Sequence, residues 1–250
     1  MPPRYEVIGV EGLPEIAAGH DLGRLIAEAA ARQGTPLEAA DLLVVSQKIV
    51  SKAEGRLVRL AEVTPSPQAL AMARELGRDP RLIEVILGES RRVVRHDKGV
   101  LIVETHHGWV CANAGVDQSN VDADTACLLP VDADASARGL QERLAALTGH
   151  ALAIIIADTF GRPWREGLTN VAVGVAGFDP LVSYLGERDP AGHVLQATVL
   201  ALADELAGAA EPVMGKLARI PVAIVRGLVW EPAAGSSRAL LRDPDRDLFR

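Results

Sequence analysis

The sequence predicts an α+β fold of mixed sheets with flanking helices. Short apolar runs of strand length alternate with amphipathic segments of helical length, and their spacing lacks the regularity of a βαβ repeat. Apolar residues make up 48% of the chain but aromatic residues only 3%, so the core must consist of Leu, Val, Ile and Ala. The 250 residues suffice for a single domain over 1–250 or for two interlocked lobes, because a chain of this length buries roughly 70–75% of its unfolded surface.

Hydrophobic periodicity predicts the elements in order along the chain. Helical spacing is clear at Leu22, Leu25 and Ile26, and Ser-Pro and Asp-Pro pairs mark two further helix starts. Strands are predicted where apolar, often β-branched residues follow one another. The predicted helices are 21–31, 66–76, 79–87, 136–147 and 198–210. The predicted strands are 7–10, 42–45, 92–95, 100–104, 109–111, 151–157, 171–175 and 222–225. Residues 113–124 are expected to form a polar loop, and 228–250 a polar C-terminal tail, irregular or with a terminal helix.

Composition excludes several classes of protein. A net charge of −7 and the scarcity of aromatic residues argue against a nucleic-acid partner. The sequence contains no apolar run of the ~18–20 residues that span a membrane, and its N-terminus lacks the apolar region of a signal peptide. Two cysteines, Cys111 and Cys127, are expected to be buried packing residues in a reducing compartment. We therefore expect a cytoplasmic protein.

Well-known sequence fingerprints of nucleotide and hydrolase sites are absent. The chain has no P-loop, no G-x-G-x-x-G, no H-E-x-x-H and no G-x-S-x-G. Four polar segments remain as candidates for a functional site. Each also has a structural explanation, and the residues alone leave both open.

The first segment is a loop, and the second contains a pair of lysines. Residues 12–16 lie between a predicted strand and a predicted helix, and form either a plain turn or a backbone clamp on a flat ligand ring. Residues 46–55 follow a buried strand and carry Lys48 and Lys52, which suit phosphate. The alternative for this second segment is a solvated junction between strand and helix.

The other two segments are rich in oxygen donors. Residues 113–120 contain Asp117 and Asn120, which either face a ligand or satisfy their own backbone in an Asx turn. Residues 158–167 begin with Asp158 and a hydroxyl at the end of the most apolar strand, an arrangement that suits Mg²⁺ or Mn²⁺ better than a helix cap. Together the residue types suggest phosphate, a hard divalent metal and an anionic substrate, as in nucleotide-dependent ligation, phosphoryl transfer or phosphate-ester hydrolysis.

The four segments resemble one family as a set. EGLPEI, LLVVSQKIVSKAEGR, CANAGVDQSN and ADTFGRPWREG are similar to coenzyme F420-0:L-glutamate ligases, the γ-glutamyl ligases of deazaflavin biosynthesis, and the similarity runs over about 7–227. The resemblance implies a fold of its own, neither ATP-grasp nor P-loop, in an intertwined homodimer. It implies a GTP-dependent ligase that adds L-glutamate to F420-0, with γ-linked extension, through an acyl phosphate and with release of GDP and phosphate. Mn²⁺ or Mg²⁺, two per site with nucleotide bound, and K⁺ would assist.

The resemblance also implies roles for particular residues. Nucleotide contacts are carried over to Leu13, Pro14, Glu15, Ile16, Gln47, Lys48, Lys52 and Asn120. Asp117 and Asp158 correspond to ligands of one metal and Thr159 to a ligand of the second. Separately from the resemblance, the guanidinium groups of Arg162 and Arg165 are expected to hold the anionic substrate.

One position departs from the family pattern. Some relatives supply a Glu to the second metal about where this chain has Lys216, and an ammonium cannot bind a metal. We therefore expect the second metal to arrive with the nucleotide, unless another carboxylate such as Asp122 or Asp124 takes that place. Because some relatives carry a C-terminal flavin domain and the resemblance here is to the ligase part alone, the stand-alone ligase without bound FMN is expected.

Two other functions remain open from the residues alone. A metal-dependent phosphohydrolase needs the same oxygen ligands, and a non-catalytic module would bind nucleotide without turnover. A ligase releases phosphate from GTP only when both the precursor and glutamate are present. A hydrolase does not need the amine, so turnover separates these functions.

Overall fold

The structure is a computed structural model and describes residues 2–97 and 99–247. These residues form twelve strands and six helices. The strands are β1 Glu6–Gly9, β2 Leu42–Ser46, β3 Leu57–Arg59, β4 Ser90–Asp97, β5 Val100–Thr105, β6 Val110–Ala112, β7 Thr125–Cys127, β8 Ala153–Arg162, β9 Arg165–Ala176, β10 Val182–Ser183, β11 Val199–Leu200 and β12 Val222–Arg226. The helices are α1 Leu22–Arg32, α2 Gln47–Ala53, α3 Pro67–Leu76, α4 Pro80–Gly88, α5 Ala133–Thr148 and α6 Leu202–Met214.

A five-stranded sheet lies at the centre, in the order β1-β12-β2-β8-β9. Only β2 and β8 pair in parallel; the other neighbours in this sheet are antiparallel. The middle strands read as continuous apolar runs because helices cover both faces of the sheet. Helices α1 and α5 pack on one face, and α6 packs on the other. The α+β class predicted from the sequence is confirmed.

A second apolar cluster lies apart from the central sheet. Helices α3 and α4 pack against the three-stranded sheet β4-β5-β6 through buried residues such as Ile83, Ile86 and Leu101. Strands β3 and β7 form a small two-stranded sheet that adjoins this cluster through Val58 and Ala126. This region contributes the 112–125 segment, which is important for the candidate site. In the described part of the chain, none of the helices is both long and apolar enough to cross a membrane.

Three predicted elements differ most from the structure. The strand predicted at 151–157 continues to Arg162 and the strand predicted at 171–175 begins at Arg165, because β8 and β9 form a long antiparallel hairpin that pairs polar residues as well as apolar ones. The helix predicted at 198–210 begins only at Leu202, because Val199–Leu200 pairs as β11 with β10. The short strands β3, β7, β10 and β11 were not predicted, since a two- or three-residue pairing leaves little periodicity in the sequence.

Part of the predicted tail is fixed on the sheet. The buried carboxylate of Asp134 accepts hydrogen bonds from the Val175 and Ser237 amides and from the Ser236 hydroxyl. Gly235 has a φ of +62°, and a Cβ there would lie 2.1 Å from the carbonyl oxygen of Phe178, so only glycine fits. Of the two forms considered for the tail, the described part takes the irregular one, with short 3₁₀ turns; residues 248–250 lie outside the described residues.

Candidate functional site

A cleft of about 1260 Å³ opens where β2 and β8 end. Because these two strands are parallel neighbours, their carboxyl ends meet at the same edge of the sheet, a common place for ligands. The loop 13–18, helix α2, the 112–125 segment and the loop after α6 form the walls. The cleft lining includes the predicted site residues Leu13, Pro14, Glu15, Ile16, Gln47, Lys48, Lys52, Asp117, Asn120, Asp158 and Thr159.

Helix α2 aims two lysines into the cleft. It begins at Gln47, directly after β2, so Lys48 and Lys52 are one turn apart and share a face. Both lysines are largely buried, with side chains 16% and 9% exposed. Lys216 also lines this cleft, so three of the chain's four lysines lie there. Such a concentration of ammonium groups suits a phosphorylated ligand.

Lys48 forms an ion pair with Asp117. Its Nζ lies 2.5 Å from Oδ2 of Asp117, and it also donates to the hydroxyl of Ser119 at 2.6 Å. The Ser119 amide and hydroxyl donate to the same carboxylate. Burial by itself would raise the pKa of Asp117, but the hydrogen bonds from Lys48 and Ser119 outweigh burial and lower it. Asp117 is therefore ionised at neutral pH and available to a cation.

Lys52 connects two walls of the cleft. Its ammonium lies 2.5 Å from Oε1 of Glu15, in the loop between β1 and α1, and donates to the carbonyl oxygen of Asn120 at 2.5 Å. The Glu15 side chain is 75% exposed, so this contact is readily given up to a ligand. The position of Lys52 links the first polar segment to the third.

Asp158 is the carboxylate with the most strongly perturbed environment in the cleft. It lies within β8, beside strand β2, where burial raises its pKa to about 6. The nearby charge of Asp117 raises this pKa further, while the Thr159 amide, Lys48 and Lys216 oppose the shift. An ionised carboxylate held in this environment favours a bound cation, which would replace the lost hydration.

Thr159 belongs to a network that the sequence did not predict. Its hydroxyl donates to Oδ1 of Asn170 at 2.7 Å, and the Asn170 amide donates to Oε2 of Glu211 at 2.8 Å. Lys216 completes the network, with Nζ 2.6 Å from Oγ1 of Thr159 and 3.2 Å from Oε1 of Glu211.

A signal for this network does exist in the sequence. Glu211 lies in the last turn of α6, where the helix dipole disfavours an anion, and a carboxylate at such a position points to a cationic partner nearby. Asp122 and Asp124 were the possible substitutes for the Glu that some relatives have near Lys216, and both lie in other surroundings. Asp124 lies 3.0 Å from Arg81, and Asp122 is exposed on the cleft wall.

The donor set is chemically suited to Mg²⁺ or Mn²⁺. Asp117, Asp158 and Thr159 present carboxylate and hydroxyl oxygens, which hard divalent cations prefer. No cluster of three or more His, Cys, Asp and Glu side chains suited to a metal occurs within residues 2–97 and 99–247. A divalent ion here would complete its coordination with oxygens of a ligand and water, as Mg²⁺ commonly does beside phosphates.

The two arginines of the fourth segment lie elsewhere. Arg162 and Arg165 flank the turn of the β8–β9 hairpin and are not among the residues that line the cleft. The Arg162 guanidinium donates to the carbonyl oxygens of Glu166 and Gly167. The proposed role of both arginines in holding an anionic substrate stays a prediction.

Both cysteines are buried, as predicted. Burial raises the pKa of the Cys111 thiol to about 12, and the charge of Asp158 adds to this effect. Burial also raises the pKa of Cys127. Neither thiol is a nucleophile at neutral pH, which fits their assignment as packing residues.

The fold and the cleft together define a class of protein. They are those of an α+β protein with a lysine- and carboxylate-lined cleft suited to a phosphorylated ligand and a hard divalent cation. Within this class, the chain belongs to the F420-0:Gamma-glutamyl ligase family, whose sequence model matches residues 12–227.

Full-length relatives share this assignment. The chain is 47% identical to a coenzyme F420:L-glutamate ligase of Methanothermobacter thermautotrophicus over 98% of each chain. It is 45% identical to the enzyme of that name from Methanopyrus kandleri over 94% of each chain. It is 39% identical to that from Methanocaldococcus jannaschii, over 99% of this chain and 97% of the relative. The family suggested by the four motifs is confirmed.

Proposed function

We propose that the protein is a GTP-dependent ligase that joins L-glutamate to F420-0 and extends the product by γ-linked glutamate. One observation supports this most directly: a single cleft is lined by Lys48, Lys52, Asp117 and Asp158. Ammonium groups for phosphate and carboxylates for divalent cations are the two requirements of phosphoryl transfer from a nucleotide. The family description names F420-0, and the names of the relatives supply L-glutamate.

The proposed reaction has two steps. A carboxylate oxygen of F420-0 attacks the γ-phosphorus of GTP, the bond to the β-phosphate oxygen breaks, and GDP leaves with that electron pair. The amine of glutamate then attacks the acyl phosphate carbon, phosphate leaves, and one proton is released as the amide forms. Activation is needed because a carboxylate and an amine do not condense in water at useful rates. Positioning and charge neutralisation account for most of the catalysis in such a sequence.

The chain's own side chains divide these tasks. Lys48 and Lys52 hold the phosphate groups, and the loop 13–16 with Gln47 and Asn120 holds the rest of the nucleotide. Arg162 and Arg165, at the turn of the β8–β9 hairpin, bind the anionic substrate.

The proposal places Mn²⁺ or Mg²⁺ at Asp117 and Asp158. A second ion would enter with the nucleotide beside Thr159, and K⁺ would assist as a monovalent cation. When bound, the divalent ions neutralise the charge that builds up on the phosphate oxygens. Before that, Asp117 and Asp158 must both be ionised, which the low pKa of Asp117 favours and the raised pKa of Asp158 delays until about pH 6.

The proposal also includes a cytoplasmic homodimer. Residues 182–200, here called the arm, carry several large apolar side chains that are exposed in the single chain: Tyr184, Leu185, Val194, Val199 and Leu200. Exposed apolar groups this close together favour contact with another protein surface. We infer that the occupant is a second copy of this chain, as the family resemblance implies.

The decisive experiment is product analysis. The protein is incubated with F420-0, GTP, Mn²⁺, K⁺ and L-glutamate, and the products are followed by mass spectrometry and by phosphate release. The proposal expects glutamylated product and phosphate only when precursor and glutamate are both present. Phosphate release without glutamate indicates a phosphohydrolase, and GTP binding with no release indicates a binding module. Either result would overturn the proposed ligase.

A further inference from the structure

We propose that Glu211 and Thr159 form the second divalent-cation site of this cleft, and that the Lys216 ammonium occupies the position of that cation until nucleotide enters. On nucleotide binding, Lys216 moves to the phosphate and releases the two oxygens to the arriving metal. The inference rests on the proposed function, since it takes a nucleotide and a divalent cation as the ligands. It assigns a carboxylate to the place where the sequence offers only a lysine.

The ammonium of Lys216 lies between Thr159 and Glu211. A single cationic nitrogen, Nζ of Lys216, lies 2.6 Å from the Thr159 hydroxyl oxygen and 3.2 Å from Oε1 of Glu211. An ammonium and a divalent cation are held by the same type of oxygen donors. The position of Nζ therefore marks a point where two protein oxygens already converge on a cation.

Asn170 holds the Thr159 and Glu211 oxygens in place. Asn170 is buried, and its side chain bonds both partners: Oδ1 accepts from the Thr159 hydroxyl, and Nδ2 donates to Oε2 of Glu211. The hydroxyl proton of Thr159 thus points away from the cation position, and a lone pair of its oxygen is left for a cation. One oxygen of Glu211 is likewise occupied by Asn170, and the other faces Lys216. Asn170 pairs with Thr159 across the β8–β9 hairpin, so a rigid element fixes the arrangement.

Lys216 is the mobile residue of this network. Lys216 has a side chain 60% exposed, against 30% for Glu211, and the neighbouring Leu217 is 95% exposed. Exposed ion pairs contribute little to stability, so the lysine can leave at low cost. Nucleotide phosphate gives it a partner of higher charge within the same cleft. Glu211 and Thr159 remain where Asn170 holds them.

The carboxylate of Asp158 adjoins this site. Thr159 follows Asp158 directly in β8, and Lys216 lines the same cleft as both residues. A divalent ion in place of Lys216 would therefore lie next to an ion at Asp158. Two cations on either side of the transferred phosphoryl group are a common arrangement in such sites.

The test counts metal ions in the full-length protein. Equilibrium dialysis against Mn²⁺, with and without saturating GDP, gives the number of ions per chain, and GDP binding is measured on the same samples by calorimetry. The wild-type protein is expected to bind one Mn²⁺ without nucleotide and two with GDP. Glu211→Gln should bind one in both conditions, with GDP affinity changed less than tenfold. Lys216→Met should bind the second Mn²⁺ without GDP at least tenfold more tightly than the wild type.

A matched control lies on the same helix. Glu205 is exposed on α6 and does not line the cleft, so Glu205→Gln should leave both metal counts unchanged. Circular dichroism and thermal melting confirm that each variant is folded before its ions are counted.

Three results would overturn the inference. They are two Mn²⁺ ions in the nucleotide-free wild type, two ions with GDP in Glu211→Gln, or one ion with GDP in the wild type. In the last case Lys216 would replace the second metal permanently. GDP binding is measured separately on the same samples, so any of the three results leaves the proposed nucleotide cleft intact. A wild type that binds no GDP in the presence of Mn²⁺ would instead contradict the proposed function and the inference with it.

Discussion

The ammonium of Lys48 lies 2.5 Å from Oδ2 of Asp117, so two charges that the proposed reaction assigns to different ligands neutralise each other. Nucleotide phosphate must compete with Asp117 for the lysine, and a divalent cation must compete with Lys48 for the carboxylate. Binding of either ligand therefore frees the group that the other needs. We expect GDP and Mn²⁺ to bind cooperatively for this reason.

Lys48→Met should weaken GDP binding and strengthen Mn²⁺ binding. Loss of the ammonium removes one charged hydrogen bond to phosphate, worth about 1.5–3 kcal/mol, so GDP should bind about 10- to 150-fold more weakly. The same change removes the competitor for Asp117, and Mn²⁺ should bind about tenfold more tightly in the absence of nucleotide. Calorimetric titration of each ligand alone measures both effects. Weakening of both ligands would argue that Lys48 positions Asp117 and does not compete for it.

Lys52→Met should weaken nucleotide binding and leave Mn²⁺ binding unchanged. Lys52 contacts Glu15 and the Asn120 carbonyl oxygen, which are not proposed as metal ligands. GDP affinity should fall by about 1.5–3 kcal/mol while Mn²⁺ affinity is unchanged. Arg24→Met, which removes one positive charge from the exposed face of α1, is the control. Unchanged GDP affinity in both lysine variants would refute the assignment of phosphate to α2.

Asp158→Asn should abolish ligation in a folded protein. The carboxylate is the proposed anchor of the first divalent ion, and an amide oxygen without negative charge binds such an ion far more weakly. Product formation should disappear in the mass-spectrometric assay, and Mn²⁺ affinity should fall at least tenfold. The control is Asp122→Asn, on the exposed wall of the same cleft, which should keep both product formation and Mn²⁺ affinity. Near-normal activity in the folded Asp158 variant would rule out this anchor.

The same residue predicts a dependence of stability on pH in the metal-free protein. The pKa of Asp158 is about 6 when folded and 3.8 when unfolded. The folded state therefore binds more protons between about pH 4 and 6, and the stability of the wild type falls as pH rises through that window. The loss is complete above pH 6 and amounts to at most about 3 kcal/mol.

Asn at this position cannot titrate. The stability of Asp158→Asn relative to the wild type should therefore rise by about 2 kcal/mol between pH 4 and pH 7.5. Urea denaturation in the presence of EDTA measures the difference. A difference that stays constant across this range would show that Asp158 is ionised in the folded protein throughout.

The arm predicts the oligomeric state. Light scattering at micromolar concentration should give twice the 26.4 kDa mass of the chain. Leu185→Glu combined with Val199→Glu should give the monomer mass, because two buried charges without partners would disrupt an apolar contact. Val229→Glu, at an 88% exposed position outside the arm, should remain dimeric. A monomeric wild type would contradict the proposal directly.

Most of the residues singled out from the sequence line one cleft in the structure. The four polar segments were identified separately, by local pattern and by family resemblance, and Lys48, Asp117 and Asp158 from three of them share that cleft. Helix α2 was not predicted, but its position directly after β2 directs both lysines into the cleft. Such inferences work where the chain's own periodicity fixes the direction of a side chain.

The network around Thr159 lay beyond this reasoning. Asn170 faces Thr159 only because β8 extends past its apolar part and pairs with β9, and strand propensity alone stops at residue 157. Glu211 arrives from a helix that packs on the opposite face of the sheet, 41 residues along the chain from its hydrogen-bond partner Asn170. These contacts depend on tertiary packing, which no local window of sequence contains.

The order of the central sheet has a consequence for how the protein is made. Strand β12, near the end of the chain, lies between β1 and β2, with Glu6 opposite Arg226. Until the ribosome has released residue 226, the first strand has no neighbour and β2 is an open edge. Unpaired strand edges attract other chains, so we expect a polypeptide that ends before residue 226 to associate with other chains instead of closing its central sheet.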